Sequence, residues 1–298
     1  MELVVAKKDL MRLVGRCQGV ADKKSAMPAL SNVLLVAEGS VLHVSATDMH
    51  LAISGTSSAE VATAGSVALP ARELFERVKV MPDGPVQLSS TAAAQTTIKA
   101  ASSPRRFTVH GIPGADFPAL PKPDPTSPSL VVPVDLLSRL IAHTHFSIST
   151  DETRAHVNSA LFEWSNDRVR MVTTDGHRLS KMELTVPGVT APATMLVPLK
   201  AIGELRRLAD NARAERGDAK AEATVAISQS GPNAFFDIAG MRFSVKLVDA
   251  QFPPYQQVIP KETHQRIKLE RELFLQCVHR AALVCSEKSN SVKIKLSS

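Results

Sequence analysis

"NVLLVAEGSVLHVSATD", residues 32–48, reads as one or two alternating β-strands. "NSALFEWSNDRVRMVTTD", residues 158–175, opens on the same asparagine, alternates in the same way and closes on the same Thr-Asp pair. A likeness of that length within one chain points to duplication, and its surroundings bear on whether the duplication is general.

Upstream, "DLMRLVGRC" at Asp9 returns as "DLLSRLIAH" at Asp135 and as "ELFLQCVHRAALV" at Glu272, an acidic cap before an apolar helical stripe each time. Downstream, "LPARELFERVKVMPDG" at Leu69 is matched by "VPLKAIGELRRLADN" at Val197, a strand end with proline followed by a second amphipathic helix. "RRFTVHGIPGADFPALP" from Arg105 is matched by "MRFSVKLVDAQFPPYQQVIP" from Met241, and "NSVKIKLSS" at Asn290 begins the strand pattern a third time. The offsets are 126 (Asp9 to Asp135), 127 (Asp48 to Asp175), 128 (Pro70 to Pro198) and 135 (Phe117 to Phe252). They grow because the second copy carries an extra polar, helix-forming loop, "NARAERGDAKAEA".

Such a period is too long for a solenoid and belongs to duplicated domains. The Pro- and Ser-rich "LPKPDPTSPSL" and the shorter "IPKETHQ" read as linkers. Domains are therefore expected over residues 1–125, 126–262 and 263–298. The expected class is α+β, tandem repeats that each pack two helices on antiparallel sheets of six or more strands. The last segment is too short to close a sheet or cover its helix, so the third domain is expected to be incomplete.

With 44% hydrophobic and 21% charged residues the chain reads as globular, and no apolar run approaches the roughly 18 residues of a membrane helix. The start "MELVVAKKDL" lacks the layout of a signal peptide, which predicts a cytoplasmic protein. Cys17, Cys277 and Cys285 are widely spaced with no C-x-x-C pair, and each is expected on the buried face of a helix, outside any disulfide framework or zinc site. The net charge of +6 hints at nucleic acid, but residues 1–125 hold 13 basic against 11 acidic side chains, 126–260 hold 14 against 14, and 261–298 hold 8 against 4. Any case for DNA rests on placement.

Asp175, His177 and Arg178 lie close enough in sequence to suggest catalysis, as in a metal-dependent nuclease using Asp175 and His177. However, Thr174, Asp175 and His177 have counterparts in Thr47, Asp48 and His50, and residues shared by diverged copies are better explained by a common turn. What differs is Met49, Leu51 and Ala52 becoming Gly176, Arg178 and Leu179, an opened surface with an apolar patch beside a guanidinium. That suits binding better than bond-making. Walker A, G-x-G-x-x-G, H-E-x-x-H and G-x-S-x-G sequences are missing, and His143 and His145 lack a third nearby ligand, so no enzyme, metal or cofactor is expected. Lys8, Arg12 and Arg16 recur every four residues opposite an apolar stripe and predict a positive ridge. With Lys79 on the second helix and Lys200, Arg206 and Arg207 on its counterpart, they predict a shared positive face suited to phosphates.

The order of "TDMHLAI", "LPARELFERVKVMPDG", "IPGADFPALP", "VNSALFEW", "TTDGHRL", "KLVDAQFPPYQQVIP" and "RAALVCSEKSNSVKIKL" resembles the bacterial beta sliding clamp family, the processivity subunit of DNA polymerase III, over essentially the whole chain. The resemblance implies the DNA clamp fold: three domains per subunit and two subunits in a homodimeric ring around double-stranded DNA, bound without sequence preference. It implies partners that dock through short peptides: the DNA polymerase III alpha subunit, the clamp loader, other DNA polymerases and repair proteins. The matching peptide-binding positions are Val157, Thr174, Gly176, His177, Arg178, Leu179, Pro253, Gln257 and Val258. Gln257 stands where an arginine is familiar and His156 where a tyrosine is. Matched DNA-facing positions are Lys24, Lys79 and Lys200, joined by Arg206 and Arg207 on the same helix as Lys200. Phe107 and Val109 match one side of the dimer interface, Leu283 and Val284 the other. With so little of a third domain, no stable ring is expected from these 298 residues alone. The competing reading is a clamp paralogue that binds such peptides without forming a functional ring.

Overall fold

The computed structural model describes residues 1–22, 25–100, 103–188, 192–216, 222–262, 266–285 and 291–295. Lys24 lies outside them. Strand β1 (Glu2–Ala6) leads into helix α1 (Lys7–Cys17), and β2 (Asn32–Glu38), β3 (Val41–Thr47) and β4 (Leu51–Ser58) follow as a meander. β5 (Glu60–Thr63), β6 (Gly65–Pro70), α2 (Ala71–Lys79), β7 (Pro85–Ser90), β8 (Gln95–Ala100), β9 (Arg106–His110) and the short β10 (Ile112–Pro113) complete the first copy. The second contains β11 (Ser129–Pro133), α3 (Val134–Thr144), β12 (Ser159–Ser165), β13 (Arg168–Thr174), β14 (Leu179–Thr185), β15 (Ala193–Pro198), α4 (Leu199–Arg216), β16 (Thr224–Ser230), β17 (Asn233–Ile238) and β18 (Met241–Lys246). α5 (Arg271–Ala282) lies after them.

The stretch 32–48 is a β-hairpin. Glu38 pairs with Val41, so Gly39 and Ser40 form a two-residue loop, and Gly39 has φ 59°. In the second copy Ser165 pairs with Arg168 across Asn166 and Asp167, at φ 49° and 59°. Two left-handed residues match the right-handed twist of the flanking strands, and Asn and Asp tolerate that conformation better than other residues with a Cβ.

The duplication extends to strand order. β6-β2-β3-β4 in the first copy corresponds to β15-β12-β13-β14 in the second, and β1-β7-β8-β9 corresponds to β11-β16-β17-β18. The copies do not keep separate sheets, however. β18 pairs antiparallel with β4, Phe243 opposite Ile53 and Val245 opposite Leu51, which fuses half of each copy into one nine-stranded sheet, β10-β6-β2-β3-β4-β18-β17-β16-β11. A five-stranded sheet, β5-β1-β7-β8-β9, and a four-stranded sheet, β14-β13-β12-β15, flank it. Cross-copy pairing leaves no local periodicity, which is why the sequence reads as separate sheets.

In each copy the two helices pack together, α1 with α2 and α3 with α4, and α1 rests on β3 and β4 as α3 rests on β13 and β14. Leu10, Leu13, Val14 and Cys17 of α1 and Leu137, Leu140 and Ile141 of α3 are buried. A fully buried side chain of the Leu or Ile size contributes about 1.5–3 kcal/mol.

Several expectations need correction. Asp9 and Asp135 are not caps: α1 starts at Lys7 and α3 at Val134, with Ala6 and Pro133 at the N-cap positions and the acids inside the first turn, where they oppose the positive end of the helix dipole. Arg16 does not extend a solvent-facing ridge. It is 3% exposed, donates to the Ala239 carbonyl at 2.8 Å and lies 2.5 Å from the Glu215 carboxylate, because the second copy packs over that end of α1.

The chain forms two compact units, Met1–Pro253 and Pro254–Ser298. In the second, α5 is capped by Glu270, whose carboxylate accepts from the backbone N–H groups of Glu272 (3.1 Å) and Leu273 (2.8 Å); Glu272 itself is in the first turn. No residue of α5 is buried. Cys277 is accordingly exposed and Cys285 half-buried, so only Cys17 is the core residue expected of all three; burial pushes its thiol up to about 12 against the opposing pull of Arg207 and Arg16. Residues 291–295 form no strand, since a strand needs a neighbouring ladder for its amides. Asn290 lies outside the described residues.

Candidate functional site

The turn between β13 and β14 is built twice. In the second copy Asp175 Oδ1 accepts from the backbone N–H of His177 at 2.9 Å and of Arg178 at 3.0 Å, while Thr174 Oγ1 accepts from Gly176 N at 3.1 Å and donates to Arg178 O at 2.7 Å. In the first copy Asp48 Oδ1 accepts from His50 N at 2.9 Å and Leu51 N at 2.6 Å, and Thr47 Oγ1 accepts from Met49 N at 3.0 Å and donates to Leu51 O at 2.8 Å. Short polar side chains that satisfy turn amides favour Thr-Asp here in both copies. The third turn residue is left-handed each time, Met49 at φ 75° and Gly176 at φ 93°.

This geometry assigns Asp175 no general acid or base role. Its carboxyl is held down to about 2 by the backbone N–H groups of Arg178 and then His177, with the Arg178 guanidinium adding to them. His177 contributes its backbone amide to Asp175 and stands exposed.

The second carboxylate oxygen marks where the copies part. Asp175 Oδ2 accepts from Arg178 Nε at 3.0 Å within the turn, leaving Gly176, His177 and Arg178 exposed. Asp48, buried, is bonded instead by Lys200 Nζ from the start of α4, so the first copy's turn is tied to the second copy. Arg178 also donates from Nη2 to the Phe146 carbonyl at 2.6 Å and stands 5.9 Å over the Phe146 ring. Arg154 donates to the Asp175 carbonyl at 3.3 Å, and an atom at the Cβ position of Gly176 would come within 3.2 Å of its guanidinium. Glycine suits that position for its φ and for this close approach.

Of the expected peptide-binding residues, Thr174, Gly176, His177, Arg178 and Leu179 share this turn and the start of β14, an edge strand of the four-stranded sheet. Leu179 and Pro253 are half-buried. Val157 is not on an open surface: at 1% exposure it lies in the core, its N–H donating to Arg154 O and its carbonyl accepting from Ser149 N. Thr174 is also buried, with its hydroxyl used by the turn. Gln257 and Val258 belong to the second unit, both exposed in a short 3-10 turn and its cap. Arg154 and Phe146 are the residues sequence reasoning missed. Phe146 sits in "IAHTHF", where the paired histidines drew attention, and its 51% exposure is the signal that only the structure supplies.

The expected DNA-facing cations divide in two. Lys79, at the end of α2, and Arg206, on α4, are exposed; Arg206 meets His145 Nε2 at 3.1 Å, and His145 Nδ1 lies 2.9 Å from the Ile141 carbonyl. A carbonyl can only accept, so Nδ1 carries the imidazole proton and Nε2 accepts from the arginine. Lys200 is exposed but ion-paired to Asp48. Arg207 is the least available, because Nη2 donates to the Arg16 carbonyl at 2.6 Å and Nε to Glu204 at 2.8 Å.

β9 ends the five-stranded sheet and pairs on one side only, with β8. Its alternation turns Phe107 and Val109 towards the core: Val109 is fully buried and Phe107 is half-buried beneath Arg77, whose guanidinium is 5.3 Å from the ring. Any contact at that edge would therefore be made by backbone groups and by Arg106, Thr108 and His110, the exposed set. Leu283 and Val284, just past α5, are each 86% exposed. Among the described residues no group of His, Cys, Asp and Glu could hold a metal, and no helix is long and apolar enough to cross a membrane.

Residues 1–121 match the family model described as DNA polymerase III beta subunit, N-terminal domain, and residues 131–254 match its central domain. The beta sliding clamp of Caulobacter vibrioides is 33% identical over 299 aligned residues, spanning 99% of this chain and 78% of the relative; that of Pseudomonas putida is 29% identical with the same coverage. Among solved structures, a beta sliding clamp from C. crescentus superposes with a TM-score of 0.87 at 34% identity, covering 97% of this chain and 76% of that one. A sliding clamp from Pseudomonas aeruginosa, solved bound to griselimycin, gives 0.87 at 28% identity with the same coverage.

Proposed function

The chain belongs to the DNA polymerase III beta subunit family, the bacterial beta sliding clamps, and on that premise we propose that in its full-length form it closes a homodimeric ring around duplex DNA and tethers its partners there for processive synthesis. One observation carries this reading. The strand orders of the two copies make β9 the counterpart of β18 and β14 the counterpart of β4, and β18 and β4 are the strands that pair where the copies meet. The Met1–Pro253 unit therefore ends in two open edges, β9 and β14, of the two kinds that join internally. Edges of complementary kind that repeat around a closed path generate a ring.

Within this reading the domains are residues 1–125, 126–262 and 263–298. β9, with Phe107 and Val109 behind it, forms one side of the subunit interface, and Leu283 and Val284 form the other. Lys79 and Arg206, with Lys200, face the DNA, holding it by screened, sequence-independent contacts that allow sliding. The turn at Thr174, Gly176, His177, Arg178 and Leu179, in the same unit as Val157 and Pro253, receives short peptides of the DNA polymerase III alpha subunit, the clamp loader, other polymerases and repair proteins. The ring works in the cytoplasm, topologically, making and breaking no covalent bond. The relatives are likewise clamps and not enzymes.

The peptide role is tested by titrating a short glutamine- and leucine-containing polymerase tail peptide into the protein and into Leu179→Asp. A charge on that half-buried position is expected to weaken binding at least tenfold. Equal binding by parent and variant would remove the turn from the peptide site.

A further inference from the structure

The two turns that share Thr-Asp dispose of the second carboxylate oxygen differently. Asp175 has Arg178 three residues on and bonds it within the turn, whereas the first copy has Leu51 at the corresponding position, so Asp48 Oδ2 meets no cation of its own turn. Lys200, the second residue of α4, supplies one from the other copy. The pair is lopsided: the Asp48 side chain is 4% exposed and that of Lys200 57%. A buried carboxylate cannot fall back on water, so it holds its cation firmly, while the ammonium of Lys200 still faces solvent. An ammonium has three donors, and the bond to Asp48 leaves the others open to a second acceptor. Any phosphate that approaches them also meets the charge of Asp48, which burial shields from the salt that screens exposed charges.

We propose that Asp48 is a positioning residue of the DNA face: it holds Lys200 at the seam between the copies and offsets its charge, so that the lysine touches DNA as a weak contact and the grip stays loose enough to slide. This rests on the helices being the DNA-facing side. The other charged groups around the pair supply no such offset. Glu204, one turn along α4 from Lys200, is taken by Arg207 at 2.7 Å. His50 in the turn and Lys246, whose backbone N–H donates to the His50 carbonyl at 2.8 Å, are exposed and carry no negative charge. Offsetting recurs along the helices, where Arg12 lies 3.7 Å from Asp9 and Arg213 3.0 Å from Asp135. Lys79 and Arg206, by contrast, face solvent without an ion pair among the described residues. A duplex whose phosphates meet few uncompensated cations releases few counterions, and its affinity falls less steeply with salt.

The test is titration of a short linear duplex into the whole chain and into Asp48→Asn, Lys200→Ala, the double variant Asp48→Asn/Lys200→Ala and Lys79→Ala, each at several salt concentrations. Asparagine keeps the oxygen that accepts from His50 and Leu51, so the turn should survive while Lys200 is released. Asp48→Asn should then steepen the salt slope by about one, so that a fourfold rise in salt costs about 3.5 times more affinity than in the parent. Lys200→Ala should flatten the slope of the parent by less than Lys79→Ala does, and flatten that of Asp48→Asn by about one. A purely structural role for Asp48 would move the thermal midpoint and leave the slope alone. If Asp48→Asn leaves the slope unchanged, or Lys200→Ala flattens the parent's slope as much as Lys79→Ala, the inference is wrong and the DNA face stands. The second comparison decides even if Asp48→Asn does not fold. If Lys79→Ala leaves the slope unchanged, the DNA face itself is wrong and the inference falls with it.

Discussion

Asp48 and Asp175 each spend one oxygen on two turn amides, and the residue between the aspartate and those amides, Met49 or Gly176, takes a left-handed φ in both copies. A side chain with a Cβ costs about 1–2 kcal/mol in that conformation. Met49→Gly should therefore stabilise the protein by up to about 1 kcal/mol after the extra entropy of glycine in the unfolded chain is subtracted, and Gly176→Ala should cost about 1–2 kcal/mol because it adds both the φ penalty and a contact with Arg154. Denaturant midpoints at constant m-value decide both, and a destabilised Met49→Gly would count against the shared turn. The Asp175 carboxyl titrates near 2, below its usual value of about 3.9. Its contribution to stability is therefore complete above about pH 4 and disappears as pH falls through 2, so Asp175→Asn should destabilise at pH 7 and become neutral only below pH 2. The turn role of Thr-Asp was legible because duplication separates shared residues from differing ones. The burial of Val157 and the placement of Phe146 were not, since a side chain's exposure depends on neighbours distant in sequence.

At the level of elements, hairpins and helices followed from local pattern, and the junction between copies did not. It rests on β18 pairing with β4, on Arg16 reaching Ala239 and Glu215, and on Lys200 reaching Asp48. A helical basic repeat marks Arg16 as solvent-facing only if nothing covers that end of the helix, and α4 covers it. Phe243, fully buried opposite Ile53, should cost about 3–5 kcal/mol when changed to alanine. Arg16→Ala should cost about 2–3 kcal/mol through the bonds it leaves unmade. Both should lower one cooperative unfolding transition of Met1–Pro253. Two separate transitions, with only one responding, would mean that the copies fold independently. α5 follows its own rule: the Glu270 cap, invisible when Glu272 was read as the helix start, should contribute about 1 kcal/mol to the helix.

At the scale of the whole molecule the claim is topological. Repeated domains and a positive helical face could be read from the chain, whereas the ring entered through the resemblance and gained physical support only when β9 and β14 emerged as edges of the two complementary kinds. Cations that face solvent should behave as phosphate contacts, so Lys79→Ala and Arg206→Ala should each reduce the salt slope of DNA binding by about one, whereas Arg207→Ala should leave the slope unchanged and lower stability. The most direct measurement is retention of the full-length protein, loaded by a clamp loader, on a nicked circular duplex at a salt concentration that screens phosphate contacts. The account predicts that the protein stays on the circle and is lost within seconds once a restriction enzyme linearises the DNA. Equal retention on circular and linear DNA, or no retention on the circle, would contradict it.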